Sequence, residues 1–231
     1  MTKHEKIFSH IYDTSFWGKN KSSGTGSITK SLDFYIPFLR NFIILNNIKS
    51  VLDLGCGDFY SGDRIYSDLQ VKYFGYDVYL EHIENHKKKY LNDTKFNFVH
   101  LDFFEYKEKI IDSELFILKD VLQHWSNKEI DIFLSFFIKN INFKYLLITN
   151  APDINGNRYS ADKDLLEKPN LKHYKDEYGE YVMDEPDKVD IETGGWRSLS
   201  ANVEPLKKYN PIILFVWGKD HFFETSLIVK K

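Results

Sequence analysis

The stretch VLDLGCGD at residues 51–58 constrains this chain more than any other: a buried apolar strand runs directly into a glycine-rich turn. In open α/β sheets ligands sit at the carboxyl ends of the strands, where glycines let the backbone come close. Downstream, short β-rich runs at 50–54, 73–78, 96–101, 114–119 and 145–149 alternate with helical patterns. The clearest helix carries Ile130, Phe133, Leu134, Phe137, Ile138 and Ile141 on one stripe, behind a capping box of Ser126 and Glu129. Strand–helix alternation of this kind predicts a Rossmann-like α/β fold, a mostly parallel sheet with helices on both faces. A helix is expected around 32–45, interrupted or restarted at Pro37, and an antiparallel hairpin at 212–217 and 225–229 around Gly218.

The 231 residues suit one domain, divided into a helical cap segment (1–49), a ligand-binding core (50–150), an insertion (151–211) and the closing hairpin (212–231). Five of the six prolines fall in the insertion, whose aperiodic composition reads either as a lid over the site or as a passive surface insertion. With 31 basic against 34 acidic residues there is no basic surplus of the kind nucleic-acid binding shows; the run Lys87-Lys88-Lys89 reads as the wet face of a helix. A single cysteine, Cys56, excludes an internal disulfide and a Cys-rich metal site, so no metal is expected. No apolar run is long enough to span a bilayer and the first ten residues lack a signal-peptide core, so a cytoplasmic protein without membrane contact is expected.

Around the turn, Gly55 and Gly57 match the start of a dinucleotide fingerprint, but its third glycine position is Tyr60. Asp53, two residues before Gly55, repels a diphosphate and suits an ammonium group, which favours a zwitterionic ligand over NAD. Asp77 closes the second strand, 20 residues beyond Gly57, where an acid accepts hydrogen bonds from both ribose hydroxyls. Asp102 closes the third strand beside Phe103, an acid for an adenine amino group and an aromatic for its ring.

With these residues in place the sequence resembles the class I S-adenosylmethionine-dependent methyltransferases over roughly residues 50–150 and the closing hairpin. The resemblance implies a seven-stranded sheet with an antiparallel last strand, and S-adenosyl-L-methionine as cofactor. It implies that Asp53, Gly55, Cys56 and Gly57 hold the methionine part, Asp77 and Val78 the ribose, and Asp102 and Phe103 the adenine, with Lys119 also at the cofactor. The chain departs from the family at Phe59, where many members have a third glycine.

The fourth strand runs into LKDVLQHW at 118–125, similar to a segment that in small-molecule methyltransferases faces the transferring methyl. Asp120 and His124 lie four residues apart, so a helical turn puts both on one side, with His124 as proton acceptor and Asp120 orienting its ring; Trp125 is assigned to the substrate. Trp17 and the SSGTGS run ending at Ser27 are expected to fold over the cofactor, and IETGGWR at 191–197 to offer Trp196 and Arg197 to a sugar face or an anionic group. Both segments resemble a bacterial subgroup associated with surface-glycan genes. The leading expectation is O-methylation of a sugar, sugar nucleotide or surface-polysaccharide precursor. A nucleotide-binding oxidoreductase, a non-catalytic cofactor-binding module and an RNA methyltransferase stand as alternatives.

Overall fold

The structure, a computed structural model, describes residues 1–28, 32–152, 172–176, 179–183, 190–218 and 222–230. The chain opens with α1 (Lys3–Asp13), a short turn of helix α2 (Thr25–Ile28) and α3 (Leu32–Leu45). The core follows as β1 (Ser50–Leu54), α4 (Gly62–Tyr66), β2 (Lys72–Asp77), α5 (Leu80–Lys89), β3 (Phe96–His100), β4 (Leu115–Lys119), α6 (Asn127–Asn140) and β5 (Tyr145–Asn150). A two-stranded antiparallel ribbon, β6 (Lys172–Asp176) with β7 (Gly179–Met183), precedes the terminal pair β8 (Ile212–Gly218) and β9 (Phe222–Val229).

Seven strands form one sheet in the order β3-β2-β1-β4-β5-β9-β8. The first five are parallel; β9 runs antiparallel to both β5 and β8. This is the expected architecture, with strand boundaries within a residue or three of those read from the sequence. The chain reverses from β1 to β4 across the middle of the sheet, so the carboxyl ends of β1 and β4 diverge into a crevice there.

Alternation along the strands divides the interior into two layers. One face packs Leu52, Leu54, Phe116 and Leu118 against α1 and α6 through Phe8, Ile11, Phe133 and Phe137. The other packs Val51, Tyr73 and Leu147 against α3, α4 and α5 through Leu39, Ile43, Ile65 and Ile83. Helix α6 begins at the expected capping box, Ser126 and Glu129 satisfying each other's backbone amides. The Lys87–Lys89 run lies exposed on α5.

Helix α3 corrects the expectation at Pro37. It runs through the proline without a break, because Leu32, Tyr35, Ile36, Leu39 and Ile43 bury one continuous face that outweighs one lost hydrogen bond. Helix α1 was not foreseen. It has its own capping box, Thr2 with Glu5, and buries His4, Phe8, Ile11 and Tyr12. Much of the expected lid at 151–211 lies outside the described residues. Its described end is part of the fold, with Arg197, Leu199 and Leu206 buried. Among the described residues no helix is long and apolar enough to cross a membrane.

Candidate functional site

The crevice is lined by residues from the ends of four parallel strands, from α1 and from the segment that follows it. Strand β1 delivers Asp53, Gly55 and Cys56; β2 delivers Asp77 and Val78; β3 delivers Asp102 and Phe103; β4 delivers Lys119, Asp120, His124 and Trp125. Trp17 and Ser27 line it from above. The structure thus brings together nearly every residue singled out from the sequence, in one cleft with about 1040 Å³ of empty space, open solvent included.

The glycine turn is held over β2. The amides of Gly55 and Cys56 both donate to the Tyr76 carbonyl, at 2.8 and 3.1 Å, and Gly55 takes φ +89°, which favours glycine. Gly57 lies behind the cleft wall, where its amide donates to Asp77 Oδ2 at 2.8 Å and its carbonyl accepts from His86 Nε2 at 2.8 Å. A Cβ on Gly57 would lie 2.1 Å from Ser23 Oγ, so the covering segment sits directly on the turn. Phe59 adopts φ +53° and buries its ring among Tyr66, Tyr73 and Phe98.

The three strand-end acids differ in their surroundings. Burial pushes the Asp53 carboxyl up to about 7, against a hydrogen bond from Tyr73 at 2.9 Å and the charge of Lys119. Asp77 is 4 % exposed and accepts the Gly57 and Tyr79 amides, one on each oxygen; burial raises it, and those amides oppose the rise. Each oxygen accepts one amide and so retains acceptor capacity. Asp102 accepts the amides of Phe104 and Glu105 on Oδ1 and the Thr2 hydroxyl on Oδ2, so α1 is tied to the end of β3.

At the end of β4, Lys119 Nζ donates to the Asp120 carboxylate and to the Gly26 carbonyl at 3.3 Å. Asp120 has φ +57°, and its Oδ1 is buried without a hydrogen-bond partner among the described residues. Asp120 does not orient His124, contrary to the expectation. Residues 122–124 form a tight 3-10 turn rather than an α-helical one, and the His124 ring bonds through Nδ1 to the Gly195 carbonyl at 2.8 Å. Burial lowers the His124 pKa, with the Gly195 hydrogen bond and the Asp120 charge opposing, so the neutral ring is favoured. Its ring lies against Trp17 at a tilt of 38°, 4.8 Å between ring centroids.

Of the three residues assigned to the acceptor, Trp125 reaches the cleft and Trp196 and Arg197 do not. Trp125 touches the cleft but is 2 % exposed, its ring packed edge-on against Phe133 and beside Phe103 in the core. Arg197 is 3 % exposed and outside the cleft, its guanidinium donating to Asn127 Oδ1 and to the Trp125 carbonyl. Trp196, half-buried, also lies outside the lining. The guanidinium turns inward onto two acceptors, the Asn127 side-chain oxygen and the Trp125 carbonyl, that its burial keeps satisfied. Conversely, sequence reasoning missed His4, Phe8, Tyr12 and Asp58, all of which line the cleft, while Ser23 lies there within the run expected to cover it. The Thr2–Glu5 capping box and the apolar pairs at Ile7–Phe8 and Ile11–Tyr12 were the available signal for α1.

No family model and no curated protein matches this chain. Solved structures do. Magnesium protoporphyrin IX methyltransferase from Synechocystis PCC 6803, with bound S-adenosylhomocysteine, superposes with a TM-score of 0.62 at 12 % identity over 99 % of this chain and 100 % of that one. The N-methyltransferase NodS from Bradyrhizobium japonicum WM9, in complex with S-adenosylhomocysteine, gives 0.64 at 9 % identity over 97 % and 98 %. DhpI in its SAM–HEP complex gives 0.60 at 15 % identity over 99 % and 100 %. At these identities the likeness speaks for architecture: the chain has the fold of the class I S-adenosylmethionine-dependent methyltransferases.

Proposed function

We propose that this chain is an S-adenosylmethionine-dependent methyltransferase that O-methylates a small polar acceptor in the cytoplasm, the acceptor being a sugar, sugar nucleotide or surface-polysaccharide precursor. The observation that carries the reading is the convergence of Asp53, Asp77 and Asp102, from three adjacent parallel strands, on one cleft beside the Gly55 turn. Three carboxyl groups, with no free cation at that end among the described residues, disfavour a dinucleotide's diphosphate and suit a ligand with an amino group, ribose hydroxyls and an adenine amine. The donor set fits: Asp77 keeps acceptor capacity on both oxygens, and Gly55 brings bare backbone to the wall.

When bound, the cofactor supplies a methyl group on a sulfonium. The chain's own contribution is alignment and proton removal. Asp53 would hold the amino group and Asp77 the ribose, setting the methyl toward the end of β4. There Asp120 and Lys119 form a polar floor, and a neutral His124 is suited to take the proton of a hydroxyl acceptor. Trp17 and Ser27 cover the site and exclude water. The sugar assignment rests on the sequence resemblance to glycan-associated proteins; the small, polar character of the acceptor rests on the Lys119–Asp120–His124 wall.

Calorimetry with S-adenosylhomocysteine and with NAD tests the reading, followed by transfer of labelled methyl from S-adenosylmethionine to a panel of sugars and sugar nucleotides. Binding of S-adenosylhomocysteine, weakened about 10- to 100-fold in Asp77→Asn, is expected. NAD binding with no response to S-adenosylhomocysteine would make the chain a nucleotide-binding protein of the oxidoreductase kind. Cofactor binding with no transfer to any acceptor would leave a binding module.

A further inference from the structure

The IETGGWR motif keeps its Trp and Arg side chains out of the cleft, yet its backbone grips His124 twice. The Gly194 amide donates to the His124 carbonyl at 2.9 Å, and the His124 ring nitrogen Nδ1 lies 2.8 Å from the Gly195 carbonyl oxygen. A carbonyl oxygen can only accept, so this hydrogen bond requires the proton to be on Nδ1. In a neutral imidazole the lone pair is then on Nε2, which has no hydrogen-bond partner among the described residues.

The turn is shaped for this contact. Gly194 has φ +91°, and a Cβ there would lie 2.5 Å from Ile7 Cγ2 on α1. Both flanks are fastened to the stretch that carries His124. Thr193 Oγ1 donates to Glu129 at 2.5 Å, the Arg197 amide donates to the Gln123 carbonyl at 3.2 Å, and the Arg197 guanidinium donates to the Trp125 carbonyl at 3.2 Å. Asp120 is the charged group acting on the ring, and Trp17 packs beside it at a tilt.

We propose that the Gly194–Gly195 turn is a positioning element for His124, fixing the Nδ1–H tautomer so that Nε2 presents its lone pair to a hydroxyl acceptor. The proposal rests on the methyl-transfer reading above for its purpose, though not for its geometry. In the reaction the acceptor O–H proton moves to Nε2, and the oxygen pair forms the bond to the methyl carbon as the carbon–sulfur pair returns to sulfur. The resulting imidazolium keeps its Nδ1–H donating to the Gly195 carbonyl, and the Asp120 charge favours the cation. The motif thus serves the acceptor through its main chain rather than through Trp196 and Arg197.

The test is the tautomer itself. In the full chain labelled with nitrogen-15 in its histidine rings, two-bond proton–nitrogen correlation at pH 7.5 should show one ring, absent in His124→Gln, with Nδ1 protonated and Nε2 bare. The opposite pattern, or averaging between tautomers, overturns the proposal. Gly194→Ala, strained at that φ, should mix the tautomers and cut turnover about 10- to 100-fold with S-adenosylhomocysteine affinity unchanged. A folded Gly194→Ala protein with a wild-type tautomer and lowered turnover would also overturn it; if that variant does not fold, the wild-type spectrum decides alone. A wild-type spectrum as expected, combined with full turnover in His124→Gln, upholds the positioning and refutes His124 as the base, so the two readings fail separately.

Discussion

Ser23 and Asp58 exchange hydrogen bonds: the Ser23 amide donates to Asp58 Oδ2 at 2.8 Å, and the Asp58 amide donates to Ser23 Oγ at 2.8 Å. This reciprocal pair staples the covering segment to the glycine turn. Tyr12 on α1 adds a third contact to the same serine, its hydroxyl 3.3 Å from Ser23 Oγ. The cleft is therefore roofed by a piece of chain whose attachment is at the wall that would hold the cofactor.

Removing the staple should loosen the roof without unfolding the sheet, since Asp58 lies in the turn outside both apolar layers. Hydrogen bonds to a charged group contribute about 1.5–3 kcal/mol, so Asp58→Ala should speed hydrogen exchange of the amides at 22–27 by about 10- to 150-fold. The amides of β1 and β4 should exchange as before. Unchanged protection at 22–27 would show that the segment is held by Trp17 packing instead.

The Asp53 carboxyl gives the site a pH dependence of known sign. Burial holds it up at about 7, so it is largely protonated at pH 5.5 in the free protein. A ligand ammonium beside it favours the carboxylate and lowers its pKa, so binding releases a proton below pH 7 and tightens as the pH rises. S-adenosylhomocysteine affinity should improve by up to about tenfold per pH unit between 5 and 7, then level off. Calorimetry in buffers of different ionisation enthalpy reads the proton directly. Asp53→Asn should abolish that release while His86 and His124 remain to titrate, which separates Asp53 from the histidines.

Much of this architecture was legible in the sequence because local signals agreed with tertiary demands. Strand runs ended in acids or glycines, and the α6 stripe began at a true capping box. The misreadings share a different cause. Asp120 and His124 looked like an α-helical pair from spacing alone, and the 3-10 turn with a left-handed Asp120 broke that geometry. Arg197 looked like an anion binder because its partners, the Trp125 carbonyl and Asn127, are about 70 residues distant in the chain, and no local pattern encodes them. Helix α1 was hidden by its charged composition, although its Thr2–Glu5 box was readable. Side chains whose partners are remote are the ones a sequence leaves ambiguous.

Glu129 is a second tie, between α6, α1 and the 190–200 segment. It accepts from the Ser126 amide and hydroxyl, from Thr193 Oγ1, from His4 Nε2 at 3.3 Å and from Lys3 Nζ at 3.2 Å, and is 8 % exposed. Burial would raise its pKa, but hydrogen bonds from His4, Thr193 and Ser126 outweigh it and hold the carboxyl far below the usual glutamate range. A depressed folded value means stability present above the unfolded pKa of about 4.3 and lost as the pH falls below it. Glu129→Ala should cost about 2–4 kcal/mol by urea unfolding at pH 7. The gap from wild type should narrow progressively below pH 4.

His124 carries the chemistry of the proposed reaction and is also packed on Trp17, so its variant must separate the two roles. Burial lowers its pKa below the ordinary histidine value, so the folded state favours the neutral ring. The sign follows: this contribution is intact above about 6.5 and is lost as the pH falls, when the unfolded chain's histidine protonates first. For turnover, the acid limb of the pH–rate profile should therefore lie below about 6.5. His124→Ala should keep S-adenosylhomocysteine affinity, because the acids holding the cofactor stand on β1, β2 and β3. It should lower the single-turnover rate by about 10²–10⁴-fold, the usual contribution of a positioned base, and remove that acid limb. Rate, affinity and melting temperature measured on one preparation, with the acceptor found by labelled transfer, decide the matter. A lower melting temperature with an unchanged rate per folded molecule would assign His124 to packing alone, leaving alignment over the Lys119–Asp120 floor as the source of the rate.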